Sequence, residues 1–142
     1  MRTLLALALL PLPAFAAPVP KELKQTPRDR LQGKWVIVSL DSGAGQQVQT
    51  DTFAGFTLTI EGDKLTTATT GGAGYKNETV VYDFLALPMR IDLKSETSTT
   101  KGIFKFEDGL LSWCHTGQNK PAPTEFKGGG GNYCFIWKRP AK

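Results

Sequence analysis

The stretch LQGKWVIVSL, residues 31–40, decides the fold, because it carries the chain from a helix signal into a strand signal. Upstream of it, Thr26 is suited to cap a helix and Pro27 to occupy its first position. Gly33 suits the residue after the last helical turn, and the apolar run that follows is typical of a strand. The sequence therefore predicts a helix of one or two turns that ends near Gly33 and leads into a strand over 34–41.

Apolar residues beyond this stretch recur with period two between clusters of Gly, Asp, Asn and Pro, a pattern typical of short strands joined by turns. The sequence contains no long helical periodicity and no internal repeat. The predicted strands lie near 34–41, 55–61, 64–70, 75–84, 89–94, 101–107, 110–115 and 132–138. Eight short antiparallel strands favour an all-β fold, either a closed barrel or a sandwich.

A two-residue turn sets the register of a hairpin, and a slip by one residue would turn every side chain to the other face. With a turn at Gly62–Asp63, Ile60 lies opposite Leu65. The same register places Glu61 opposite Lys64, so that apolar meets apolar and acid meets base. This hairpin is therefore predicted with a defined register.

The last two hairpins are predicted to share one inward face. One turns at Asp108–Gly109, and the other is aligned by placing Cys114 opposite Cys134. The predicted inward set comprises Phe104, Phe106, Leu111, Trp113, Phe135 and Trp137. Because turn chemistry and cysteine placement select the same set independently, we expect these residues inside and the disulfide on the outer face.

The N-terminal segment MRTLLALALLPLPAFAAP has the organisation of a secretory signal peptide, with a basic residue, a short apolar run and an A-x-A site. We predict a signal peptide over 1–17, a flexible arm over 18–25 and one β-barrel domain over 26–142. The apolar run is shorter than the roughly 20 residues of a membrane span. We therefore expect export to the periplasm or the extracellular space, without a membrane span.

The two cysteines, Cys114 and Cys134, are expected to pair, because a disulfide is the default in an oxidising compartment. A catalytic thiol is the alternative interpretation. The bond would close a loop of about 20 residues and contribute roughly 3 kcal/mol in the chain-entropy model. It would hold the long connection 116–131, whose end, KGGGGN at 127–132, is interpreted as a flexible hairpin tip.

Charge and histidine content argue against several classes of function. The formal net charge is +4, but the basic residues are scattered, whereas a nucleic-acid footprint needs clustering. His115 is the sole histidine, and adjacent strand residues such as Cys114 and His115 point to opposite faces. They are therefore not expected to share a metal or to act as a nucleophile and base. We expect no metal, no cofactor, no enzymatic activity, and a monomer, since a closed barrel has no free edges.

The start and end of the predicted barrel resemble the lipocalin entry motif. Gly33-x-Trp35 follows a short helix, and Lys138–Arg139 ends the last strand. The resemblance implies an eight-stranded antiparallel up-and-down barrel with a short N-terminal helix. It also implies a floor closed by Gly33, Trp35 and Arg139, with the basic side chain over the Trp ring.

Three further stretches are similar to a family of small secreted lipocalin-like domains known mostly from planctomycete bacteria. They are MRIDL at 89–93, KGIFKFEDGLLSWC at 101–114 and PTEF at 123–126. The resemblance implies a fold and a compartment. It brings no catalytic residue to carry over.

The barrel interior remains as the functional candidate, because an eight-stranded barrel is just wide enough to be filled or to hold one small ligand. Thr67 and Thr69 are expected to face a smaller, more polar mouth above an aromatic floor. The sequence therefore predicts a binder of a small apolar or amphipathic molecule. The predicted contact residues are Phe104, Trp113, His115, Tyr133 and Phe135.

Two alternatives stay open. The barrel could be filled by its own side chains and hold no ligand. The protein could instead be a protein-binding module, such as a protease inhibitor that acts through the arm 18–25 or through its loops.

Overall fold

The computed structural model describes residues 25–43, 47–49, 55–69, 75 and 77–141. They form a closed, antiparallel barrel of eight strands with one short helix. The helix α1 spans Pro27–Leu31, and the strands are β1 Gly33–Asp41, β2 Gln47–Gln49, β3 Thr57–Glu61, β4 Lys64–Ala68, β5 Glu78–Asp83, β6 Arg90–Lys94, β7 Thr99–Glu107, β8 Leu110–Thr116 and β9 Asn132–Lys138. The predicted signal peptide and all of the predicted arm except Gln25 lie outside the described residues.

Nine strand segments fill eight positions around the barrel. From β3 to β9 each strand pairs with the next along the chain, and β9 pairs with β1 to close the barrel. On the other edge of β1, β3 pairs with Gly33–Val36 and β2 with Ser39–Asp41. The sequence analysis missed β2, because a three-residue Gln-Val-Gln segment is too short to show an alternation.

The predicted helix is confirmed, and its start is fixed by local hydrogen bonds. The Asp29 backbone N–H donates to the Thr26 hydroxyl oxygen at 3.1 Å, and the Thr26 backbone N–H donates to the Asp29 carboxylate at 3.2 Å. This reciprocal arrangement is a capping box. Gly33 follows with a φ of +93°, which L side chains rarely adopt, and turns the chain into β1.

The predicted registers of the hairpins are confirmed. Ile60 pairs with Leu65, and Glu61 with Lys64. The pairs of the last two hairpins are Phe104 with Trp113, Phe106 with Leu111, Leu111 with Trp137, Trp113 with Phe135 and Cys114 with Cys134. The predicted inward set therefore lines the interior: Phe104, Leu111, Trp113 and Trp137 are buried, and Phe106 and Phe135 are partly buried against them.

Strand ends differ modestly from the prediction, most of all in β5. The strand predicted over 75–84 begins at Glu78. Tyr75 nevertheless stays tied to β4, because the Thr67 backbone N–H donates to the Tyr75 carbonyl at 2.8 Å.

A second apolar cluster lies on the outer face of the barrel. The predicted disulfide between Cys114 and Cys134 is present, and Ile103 and Phe126 pack against it. Phe126 belongs to the connection between β8 and β9, which therefore folds back over the outer face. The Lys105 ammonium lies 5.1 Å from the centroid of the Phe126 ring.

The glycine run of this connection is anchored rather than wholly free. The hairpin tip predicted over 127–132 is limited to the bridge between Gly129 and Asn132. Gly128 is buried, and its backbone N–H donates to the Asp41 carboxylate at 2.9 Å. A β-carbon at Gly128 would lie only 2.3 Å from the Asp41 carbonyl oxygen, so this glycine is required by close packing.

No helix in the described part of the chain is long and apolar enough to cross a membrane.

Candidate functional site

The floor end of the barrel is closed by Trp35 and Arg139. The Trp35 indole N–H donates to the Leu31 carbonyl at 2.9 Å, which ties the floor to α1. The Arg139 guanidinium carbon lies 3.7 Å from the centroid of the Trp35 ring. The same guanidinium donates to the carbonyls of Lys34 at 3.2 Å and Arg30 at 2.7 Å. Cation and ring attract, and the carbonyl contacts fix the guanidinium, so the role of these residues is structural.

At the opposite end, the mouth, β8 and β9 bring four of the five predicted ligand-contact residues together. The His115 ring stacks on Phe135 with 5.5 Å between centroids and lies 4.9 Å from Trp113. Tyr133, the cross-strand partner of His115, lies 5.8 Å from it on the side toward solvent. Exposure of these side chains rises from 2% at Trp113 to 7% at His115 and 42% at Tyr133. The cluster therefore runs from the packed core to solvent.

Phe104, the fifth predicted contact residue, lies with a different set of rings. It is fully buried and makes edge contacts with Phe84 at 6.1 Å and Phe106 at 5.8 Å, toward the floor. We therefore treat Phe104 as part of the packed core.

Tyr75 extends the cluster across the mouth, although the sequence analysis did not single it out. Its ring lies 5.9 Å from His115 and 6.3 Å from Trp113. We call Tyr75, Trp113, His115, Tyr133 and Phe135 the aromatic cluster.

A pocket of about 280 Å³ opens beside the aromatic cluster. We call it the mouth pocket, and it is lined by Tyr75, Glu78, Leu93, Ser98, Thr100 and Gln118. Its walls combine one aromatic ring and one aliphatic side chain with hydroxyl, amide and carboxylate groups. Its volume lies just below the roughly 300–1,000 Å³ typical of small-molecule sites.

Strand register places these groups at the mouth. Glu78 pairs with the buried Leu65, so it faces inward on β5. Leu93 pairs with Thr100, and both side chains are buried. The Tyr75 backbone N–H donates to the Thr67 hydroxyl at 2.7 Å, and this bond holds the backbone of Tyr75 at the rim of the barrel. Thr67 is predicted to face inward; its side chain is buried, and its hydroxyl accepts this hydrogen bond.

Burial controls the charge of His115. Desolvation lowers the pKa of His115 below its usual value, and a backbone hydrogen bond to Thr116 partly opposes this effect. The ring Nδ1 lies 3.0 Å from the Thr116 carbonyl oxygen, which can only accept a hydrogen bond. In the neutral ring Nδ1 therefore carries the proton and Nε2 is an acceptor.

Burial also sets the state of Tyr75. It raises the pKa of the Tyr75 phenol above its usual value, and the nearby negative charge of Glu78 raises it further, against a hydrogen bond with Thr100. The phenol is therefore neutral near pH 7 and can donate a hydrogen bond.

No group of three or more His, Cys, Asp or Glu side chains suited to a metal ion occurs among the described residues. The one hydrogen bond of the His115 ring within the same part of the chain is to a backbone carbonyl. Cys114 is held in the disulfide and faces away from His115.

None of the residues that line the mouth pocket was among the predicted ligand-contact residues, for two reasons. Glu78 follows a long loop rather than a two-residue turn, so its register against β4 was not defined. Thr100 precedes the predicted start of its strand at 101, although the alternation back from Phe104 through Gly102 would have placed it inward.

No protein-family model, no curated protein and no solved structure matches this chain.

Proposed function

We propose that this protein is an exported, lipocalin-like barrel that binds a small apolar or amphipathic molecule at its mouth without transforming it. The observation that carries the proposal is the mouth pocket of about 280 Å³ beside the aromatic cluster. Such a site would bind by removing apolar area from water, while a few polar groups orient the ligand.

The proposed lipocalin-like, up-and-down topology is supported by features at the barrel floor. The short helix, the left-handed Gly33, and Arg139 stacked over Trp35 agree with what the lipocalin resemblance implied. The sequential pairing from β3 to β9 is compatible with the same topology. Membership of the planctomycete family is proposed on the sequence motifs at 89–93, 101–114 and 123–126.

The proposed ligand sits at the mouth rather than deep inside. Phe104 and Trp137 are 0% exposed and Trp113 is 2% exposed, so aromatic side chains occupy the lower and central interior. A compact ligand that rests on this packed layer fits the pocket dimensions better than a long chain would.

Export to the periplasm or the extracellular space is supported by the Cys114–Cys134 disulfide, because disulfides persist mainly in oxidising compartments. The proposed absence of catalysis is supported by the isolation of His115, whose ring bonds only a backbone carbonyl within the described chain.

Native mass spectrometry tests the proposed function. The full chain is exported into an oxidising periplasm, purified gently and measured intact, so that the same spectrum reports the disulfide. We expect a discrete small-molecule adduct. Thr100→Leu, which fills the pocket, should remove the adduct, whereas Thr99→Leu on the outer face of the same strand should retain it.

An empty barrel with its disulfide formed would contradict the proposal and favour a filled barrel. An adduct that survives Thr100→Leu would place the ligand outside the mouth pocket and would also contradict it.

A protein-binding module is the second candidate, and one observation favours it. Leu85 and Leu87, in the loop between β5 and β6, are 94% and 96% exposed. Two exposed leucines separated by a single residue offer apolar surface to a protein partner. The arm 18–25 offers another contact, and all of it except Gln25 lies outside the described residues.

Inhibition assays against serine, cysteine and metalloproteases test this candidate in its protease-inhibitor form. The wild type is compared with a deletion of residues 18–25 and with the double variant Leu85→Ser/Leu87→Ser. Loss of inhibition in one variant identifies the contact segment. Absence of inhibition by the wild type excludes the protease classes assayed.

A further inference from the structure

Glu78 lines the mouth pocket from the first position of β5. Its inward orientation follows from its pairing with the fully buried Leu65 and from the next inward residue of β5, Val80, which is buried. Within the described residues the Glu78 carboxylate forms no ion pair and no side-chain hydrogen bond. The described part of the chain therefore leaves this inward charge available to a ligand.

The nearest lysines lie on the other face of the sheet. Lys64 and Lys94 both pair with Thr79, the residue after Glu78. The Lys64 ammonium donates to the Thr79 hydroxyl at 2.7 Å. Successive strand residues point to opposite faces, so both lysines lie on the outer side of the sheet. They line an outer groove together with Glu78, and among the described residues neither forms an ion pair with its carboxylate.

The remaining lining of the pocket suits a protonated amine. Among the described residues this lining contains no Lys or Arg, and it offers oxygen acceptors at Ser98, Thr100 and Gln118. The ring of Tyr75 forms one wall beside Glu78. An aromatic face attracts a cation, and a carboxylate accepts strong, charge-assisted hydrogen bonds from N–H donors.

We propose that the mouth pocket selects ligands that carry a protonated amine, with Glu78 as the counter-ion and the Tyr75 ring as the wall behind the cation. This inference rests on the proposed function and names its ligand class. The net charge of the whole chain, +4, favours anions at long range. A preference for cations would therefore originate in the pocket and not in the overall charge.

Three probes of similar size test the inference: phenethylamine, 2-phenylethanol and 3-phenylpropionate, which are cationic, neutral and anionic near pH 7. Calorimetric titration uses the full chain, exported and disulfide-bonded. We expect phenethylamine to bind at least about tenfold more tightly than the alcohol, and the carboxylate to bind weakest. The NMR signals of His115, the only histidine, should shift as the mouth fills.

Glu78→Gln keeps the shape of the side chain and removes its charge. It should abolish the preference for the amine, with a loss of about tenfold or more in amine affinity, and leave the affinity for the alcohol within about twofold. Glu125→Gln, an exposed carboxylate on the connection between β8 and β9, is the matched control and should change nothing.

Added salt gives a second readout that needs no variant. Amine affinity should fall with ionic strength, while the affinity of the alcohol should not. Equal binding of all three probes, or an amine preference that survives Glu78→Gln, would overturn the inference and leave the proposed function standing. If none of the probes binds, the inference is also overturned, and the proposed function is then judged by the adduct and its dependence on Thr100.

Discussion

Gly102 lies directly beneath the indole of Trp113. A β-carbon at Gly102 would come within 2.6 Å of Trp113 Nε1 and 2.9 Å of the Cys114 carbonyl oxygen. The two residues belong to the strand pair β7–β8, so glycine at this position lets the indole lie flat against the barrel wall. The glycine of the sequence stretch KGIF is thus explained by packing.

Gly102→Ala should therefore destabilise the protein by about 1–3 kcal/mol, since neither backbone nor indole can move aside freely. Urea unfolding followed by tryptophan fluorescence measures the change. Gly117→Ala is the control, because only the Lys120 side chain lies near a β-carbon there, at 3.9 Å, and its effect should stay within about 0.5 kcal/mol. Equal effects of the two substitutions would contradict this explanation.

Arg139→Met should weaken the barrel floor. It removes the cation over Trp35 and both bonds to the carbonyls of Lys34 and Arg30, and we expect a loss of about 1–2 kcal/mol. Thermal unfolding measures it. Lys138→Met, at the adjacent exposed position, provides the control and should be close to neutral. An Arg139 variant as stable as the wild type would show that the floor holds without its cation.

Replacement of the two disulfide cysteines should lower the stability of the protein and loosen the connection between β8 and β9. The double variant Cys114→Ala/Cys134→Ala should lose roughly 3 kcal/mol, because the bond joins residues 20 apart. Phe126 packs on the disulfide, so amide exchange in the connection between β8 and β9 should accelerate more than in β3 or β4. A uniform acceleration would mean that the disulfide does not hold this connection.

His115 should make the free energy of unfolding depend on pH below about 6.5, the ordinary pKa of histidine. Its folded-state pKa is lowered by burial, so the unfolded chain binds the proton more readily. Stability should thus fall as pH decreases from about 6.5, the ordinary value, to the lower folded-state pKa. Urea unfolding across this range measures the slope. His115→Gln should flatten it, and an unchanged slope in that variant would assign the effect to another group.

The hydrogen bond between the Gly128 backbone N–H and the Asp41 carboxylate should be lost in the acid pH range. Hydrogen bonds from the backbone N–H groups of Gly43, at 2.8 Å, and Gly128 lower the pKa of its carboxyl below the ordinary value. The contribution of these bonds is present above the unfolded-state pKa, near 3.9, and is lost as pH falls through the folded-state pKa. The amide shift of Gly128 should follow that titration. Asp41→Asn should make the shift independent of pH in this range.

Local chemistry is what the sequence by itself determined. The helix start depends on Thr26, Pro27 and Asp29, which lie within four residues of one another. The turns at Gly62–Asp63 and Asp108–Gly109 are two residues long, so each sets the register of a whole hairpin. In such hairpins, partners close in sequence meet whatever the rest of the chain does, and their spacing can be read directly.

The tertiary structure decided the contacts that depend on barrel closure. Gly128 meets Asp41 across 87 residues, and Arg139 meets the Arg30 carbonyl across 109. The mouth pocket likewise combines groups from β5, β6, β7 and three loops. Glu78 lines this pocket because it pairs with Leu65, and no two-residue turn connects the strands of these two residues. The contacts of Gly128 and Arg139 form only once β9 pairs with β1, because that pairing sets the distance between elements that sequence spacing leaves open. The mouth pocket forms where β5, β6 and β7 pair in sequence.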